Sequence, residues 1–159
     1  MIQETGKIIA IDFDGTIVEH TYPVIGREML FAFATMKELQ KKGHRLILWT
    51  YREGKRLEDA VKFCSANGVE FFAVNKNYPT ETEEGNYSRK INADIFIDDR
   101  NIGGFLGWDK IWQMLHPESK GFYHELQNEI AHLNYQSNKK MVQNTPQIVN
   151  TGNNMVYSK

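Results

Sequence analysis

Lys7-Ile8-Ile9-Ala10-Ile11-Asp12-Phe13-Asp14-Gly15-Thr16 sets four consecutive apolar residues against an abrupt acidic turn. An apolar run without alternation is the pattern of a strand buried on both faces of a parallel sheet. Gly15 supplies a residue that can turn sharply where the strand stops. The same design recurs in Arg45-Leu-Ile-Leu-Trp49 leading into Thr50, and in Asp94-Ile-Phe-Ile97 leading into Asp98-Asp99. A further strand is predicted over 70–74, ending at Val74-Asn75. Helical spacings lie between the strands. Met29, Leu30, Phe33, Met36 and Leu39 predict a helix over about 27–42, closed by Gly43 behind Lys41 and Lys42. Leu57, Ala60, Val61 and Cys64 predict another, closed at Asn67-Gly68. Two more are predicted over 109–115 and 118–134. Strands alternating with helices of these lengths imply an α/β fold: a Rossmann-like parallel sheet sandwiched by helices, with right-handed crossovers.

The 159 residues, 18.5 kDa, make one domain of ordinary size. With 19 basic and 20 acidic residues the net charge is −1, which argues against a nucleic-acid partner. The single cysteine, Cys64, excludes an internal disulfide and any zinc site built on several cysteines. No apolar run approaches the ~18 residues of a membrane span. The polar residues 1–6 lead straight into a strand and do not read as a signal peptide, so a cytoplasmic protein without a membrane partner is expected. Residues 136–159 hold five Asn, three Gln and three Lys but no acid, so this stretch carries +3 and the remainder −4. The expected organisation is therefore an α/β domain over 1–135 and a polar, disordered tail over 136–159. The alternative is a strap onto a neighbouring subunit through Ile148, Val149, Met155, Val156 and Tyr157. A polar loop over 75–90, with Pro79, Gly85, Glu81, Glu83 and Glu84, is long enough to suggest a functional role.

The residues at the strand ends carry the chemistry. In an open parallel sheet, ligands bind outside the carboxyl ends of the strands, near the point where strand order reverses. Asp12, Asp14, Asp98, Asp99 and Thr50 therefore converge on one edge from three distant segments. Such a cluster repels itself unless a cation neutralises it, and oxygen donors without His or Cys suit Mg²⁺. Of the Asp12/Asp14 pair, one carboxylate could bind the metal and attack as nucleophile while the other served as general acid and base.

Ile-Ala-Ile-Asp12-Phe-Asp14-Gly15-Thr16, then Leu-Ile-Leu-Trp-Thr50, then Lys90 and Ile-Phe-Ile-Asp98-Asp99 together resemble the four motifs of the haloacid-dehalogenase-like phosphohydrolase superfamily. The resemblance covers roughly residues 7–115, with the motifs in the right order. It implies a Mg²⁺-dependent phosphatase acting on a phosphorylated substrate through an aspartyl-phosphate. It further implies Asp12 as nucleophile and metal ligand, and Asp14 as acid and base with its backbone carbonyl on the metal. Thr50 would bind the phosphoryl group, and Lys90, with Lys76 as substitute, would hold nucleophile and substrate in position. Asp99 would touch the metal and Asp98 support it through water. Gly15, Thr16 and Arg52 are the expected substrate contacts.

Members of that superfamily differ by inserted cap domains. Only 33 residues separate the first motif from Thr50, and one helix and one strand use most of them. A capless member is implied, its open site covered by the 75–90 loop or by a second copy of the chain; residues 20–26 and Arg52 are the fallback for substrate choice. Arg100 could also bind a phosphate or carboxylate. His20, like the other four histidines, has no partner spacing, and Trp49, Trp108 and Trp112 read as core or interface. Two rivals are a phospho-acceptor signalling domain and a non-catalytic phosphate-binding protein. The first wants an Asp after the third strand, where this chain has Asn75; the second would need a decayed motif, and every motif residue is present.

Overall fold

The computed structural model describes residues 6–82, 84, 88–119, 121–143, 149–151 and 154–156. The chain divides into two compact units, 1–115 and 116–159.

The first unit is built on a four-stranded parallel sheet. Its strands are β1 (Ile8–Ile11), β2 (Arg45–Leu48), β3 (Ala73–Val74) and β4 (Ile95–Ile97), in the order β3-β2-β1-β4. Helix α1 (Ala32–Lys41) joins β1 to β2, α2 (Gly54–Ala66) joins β2 to β3, and α3 (Trp108–Leu115) follows β4. The α/β reading of the sequence holds. The chain steps outward from β1 to β3 and then returns to add β4 on the other side of β1. Strand order therefore reverses between β1 and β4.

Register decides which residues share the edge. Ile11 pairs with Leu48 on one side and Ile97 on the other, and Leu48 pairs with Val74. The ladder runs one residue further: the Asp12 N–H donates to Ile97 O (2.9 Å), Trp49 N–H to Ile11 O (2.8 Å) and Asn75 N–H to Leu48 O (2.8 Å). Asp12, Trp49, Asn75 and Asp98 thus leave the sheet level with one another. Ile9, Ala10, Ile11, Leu46, Ile47 and Leu48 are all buried, as unbroken apolar strands require. On one face the registered trio Ala10, Ile47 and Ala73 packs with Ile91, and Ile8, Trp49, Phe72 and Ala93 close round it. The free thiol of Cys64 is buried on α2.

Helix α1 begins five residues later than its apolar spacing predicts. The backbone of 27–29 is already committed: Val18 and Glu28 form an antiparallel bridge, and the Met29 N–H donates to Ile17 O (2.9 Å). Phe31, at φ 67°, then breaks into the helix, and the Glu28 carboxylate accepts the Phe33 N–H (3.2 Å). At the other end Gly43 takes the left-handed conformation expected of it (φ 88°).

In the second unit, α4 (Phe122–Gln143) runs eight residues past the boundary expected at 135/136. Beyond it, β5 (Val149–Thr151) pairs antiparallel with β6 (Asn154–Val156). Residues 136–143 thus continue α4 into the stretch whose polar composition suggests a disordered tail. Local hydrogen bonding needs no apolar face, so composition alone does not preclude it. Ile148 and Tyr157 lie outside the described residues. Among the described residues no helix is long and apolar enough to cross a membrane.

Candidate active site

After β1 the chain folds into a tight turn. Phe13 points inward and is fully buried, and its carbonyl accepts the N–H groups of Ile17 (2.9 Å) and Val18 (3.1 Å). Gly15 sits in this turn at φ 90°, against Asp99: a side chain there would collide with the Asp99 carboxylate. Its lack of a side chain admits Asp99 to the turn. Gly15→Ala is therefore expected to cost ~1–3 kcal/mol, from the left-handed backbone and the displaced carboxylate, read as a lowered midpoint in thermal unfolding.

Asp12, Asp98 and Asp99 each bring an oxygen within 4.8 Å of the others. Burial pushes the Asp12 carboxyl up to about 7, with the charges of Asp98, Asp99 and Asp14 adding to it and the Phe13 backbone opposing. Asp99 Oδ1 is buried with no hydrogen-bond partner. Its Oδ2 lies 3.9 Å from Nδ1 of His20. Asp98 is held by the Arg100 N–H (2.8 Å). Thr16, expected to contact substrate, is instead fully buried, with its hydroxyl 3.5 Å from Asp12 Oδ2 and its carbonyl accepting Trp108 Nε1 (2.9 Å). It supports Asp12 from behind.

Asp14 stands apart from the acidic trio. Both its oxygens are taken by Arg52, Nε to Oδ2 and Nη2 to Oδ1, each at 2.7 Å. The Asp14 carboxylate is thus not a member of the acidic trio. Arg52 was the expected substrate contact, yet its side chain is 1% exposed. Its partner, 38 residues away, draws it inward.

Thr50 is half-buried. Its N–H donates to Asn75 Oδ1 (2.8 Å) and its hydroxyl oxygen accepts the Arg52 N–H (3.2 Å), which leaves the hydroxyl proton to be donated outward. Asn75, at φ 51°, is a supporting residue that sequence reasoning passed over; the signal was an Asn, which tolerates left-handed backbone, at a strand end.

A cavity of about 510 Å³ opens over this edge, lined by Asp12, Asp14, Thr50, Asp98 and Arg100, with His20, Tyr22, Trp49 and Tyr51 at its sides. His20 and Tyr22 come from a flap, residues 17–29, that doubles back on itself. Glu19 N–H donates to Arg27 O (2.8 Å), and Arg27 forms a two-point pair with the Glu19 carboxylate. Residue spacing offers no partner for His20 because the flap's pairing brings it to Asp99 from an irregular segment. The 75–90 loop, expected to form the entrance, contributes none of its described residues to this lining. It is tied down instead by Asn77, which bonds Glu81 (2.6 and 2.7 Å) and the Asn92 N–H (2.6 Å). Lys90 is exposed and outside the lining, and Lys76 lines a separate, small cavity with Glu81, Ser88 and Arg89. Neither lysine lines the cavity over Asp12.

A parallel sheet with its polar cavity at the strand-order reversal makes this an α/β protein of the Rossmann-like class. No family model and no curated protein matches the chain. Among solved structures, the conserved protein coded by a locus from Bacteroides thetaiotaomicron matches at 52% identity and a TM-score of 0.67, over 72% of this chain and 93% of that one. The chain belongs to the family of that conserved protein.

Proposed function

We propose that this chain is a Mg²⁺-dependent phosphomonoesterase that forms an aspartyl-phosphate on Asp12, as its resemblance to the haloacid-dehalogenase-like phosphohydrolases implies. The observation that carries the reading is the buried, unpartnered Oδ1 of Asp99 beside Asp12 and Asp98 at the strand-order reversal. A buried acceptor without a donor is destabilising, and three adjacent carboxylates repel one another. A hard divalent cation relieves both, and an all-oxygen donor set suits Mg²⁺. When bound, the cation masks phosphoryl charge and keeps the carboxylates ionised.

The chain's own residues would then act in two stages. An Asp12 oxygen attacks phosphorus as the ester P–O bond breaks, and the departing oxygen takes a proton from Asp14, which must first release one of its oxygens from Arg52 to carry that proton. Asp14 next draws a proton from water, whose oxygen attacks the same phosphorus and releases Asp12. Thr50 donates its free hydroxyl proton to a phosphoryl oxygen. Arg100 lines the cavity, and we assign to it the charge-balancing role expected of Lys90. Tyr22, Trp49 and Tyr51 line the cavity beside these polar residues, and aromatic walls of this kind favour a sugar phosphate or a nucleotide as substrate. A free, buried Cys64 fits a reducing, cytoplasmic setting.

The test is release of phosphate from 4-nitrophenyl phosphate in millimolar Mg²⁺. Activity is expected with Mg²⁺ and none with EDTA. Release that ignores EDTA, or no release from this ester or from a panel of sugar phosphates and nucleotides, would overturn the proposal.

A further inference from the structure

We infer that Arg52 is a positioning residue that joins the Asp14 carboxylate to the tip of the flap, so that the acid/base group and the cover of the site shift as one. The catalytic half of this inference rests on the proposed phosphatase reading; the mechanical half does not.

A buried arginine must find partners for its donors, because an unpaired buried charge is strongly destabilising. Arg52 makes four side-chain hydrogen bonds, divided between two different elements. Two go to Asp14. The others go to the flap, Nη1 to Pro23 O and Nη2 to Val24 O, both at 3.1 Å. Its guanidinium carbon lies 4.9 Å from the centre of the Phe13 ring, in the nucleophile turn, and 5.3 Å from that of Tyr22, in the flap. Arg56 grips the same tyrosine, Nη1 to the hydroxyl at 2.7 Å. Neutralising Asp14 alone would need one contact. A planar fork shared between a carboxylate and two flap carbonyls is a joint, and a lysine's point charge cannot copy it.

The joint has a consequence at the cavity. His20 and Tyr22 line it from the flap while Asp14 lines it from the sheet edge. A leaving group seated against the flap bears on Arg52 through Pro23 and Val24, and Arg52 in turn sets where the Asp14 oxygens stand. Arg52 itself is buried, so it acts on the reaction through Asp14. Its loss should therefore depress kcat more than it raises KM, and should have no further effect once Asp14 is disabled.

The experiment compares R52K, D14N, R52Q and D14N/R52Q with the parent protein, using 4-nitrophenyl phosphate and amide hydrogen exchange. R52Q alone leaves Asp14 buried without a partner. R52K keeps the charge and D14N/R52Q removes both, so these two remain informative where R52Q fails to fold. R52K is expected to lower kcat about tenfold or more with KM changed less than about threefold, and D14N/R52Q to lose no more activity than D14N. Exchange at residues 20–26 should quicken about tenfold in R52K and D14N/R52Q while the β1 amides keep their protection. Losses that multiply in the double variant would show that Arg52 acts independently of Asp14, and unchanged flap exchange would show that it does not hold the flap. Either result overturns the inference. A parent protein inactive on every phosphate ester overturns the phosphatase reading instead, and flap exchange still decides whether Arg52 is the joint.

Discussion

Asp12→Asn is expected to abolish turnover, with a loss on the order of 10⁵–10⁶-fold, the scale seen when a covalent nucleophile is removed. The amide has almost the same shape, so Thr16 and the Ile97 carbonyl keep their contacts with this position. The substitution removes the oxygen nucleophile and one negative charge of the acidic trio. The same change should stabilise the metal-free protein near neutral pH. Asp12 is a partly buried carboxyl whose ionisation is resisted by burial and by Asp98, Asp99 and Asp14, and asparagine has no charge to resist. Lost activity together with a raised melting temperature in EDTA separates a missing nucleophile from a damaged fold. Single-turnover phosphate release by the variant at near-normal rates would exclude a covalent route through Asp12.

Removing the cation should have the second largest effect, and its pH dependence has a definite sign. In the metal-free protein the Asp12 carboxyl sits at about 7, against an ordinary value of 3.8. Between those values the folded protein holds a proton that the unfolded chain has released. Stability from this group therefore falls as pH rises from about 4 to about 7, and levels off above. Mg²⁺ competes with that proton, so its affinity should climb over the same window and flatten beyond it. Calorimetric titration at about pH 5.5 and about pH 7.5 checks the direction, with tighter binding expected at the higher value. At a hundredfold excess over its dissociation constant the cation should add ~2.7 kcal/mol, a rise of roughly 5–10 °C in melting temperature. Equal Mg²⁺ affinity at both pH values would mean that Asp12 is not a ligand.

The strands and their acidic ends were legible in the sequence because each strand is a short apolar run that stops at a charged or turning residue. The level of Asp12 with Asp98 then follows from parallel pairing alone. The start of α1 was not legible. Met29 and Leu30 fit its spacing, but the backbone of 28 and 29 is paired with the segment leaving Asp14, and Leu30 is 72% exposed. Arg52 is deceptive for a similar reason. Beside Thr50 it looks like a substrate contact, and only the fold shows that Asp14 and two flap carbonyls have claimed it. Lys90 has the right type and order, but a long irregular connection from β3 leaves the direction of its side chain open.

Cys64 has a practical consequence. Its thiol is shut in behind α2, and burial, aided by the Glu70 charge, pushes it up to about 12. Almost none of it is thiolate at neutral pH, and thiolate is the form that reacts with maleimides and spin-label reagents. A single cysteine placed at an exposed position, such as Tyr51, which is 92% exposed at the rim of the cavity, would take up a label with no competing background. The native thiol need not be removed first, and a fluorophore there could report on the cavity in the otherwise unaltered chain.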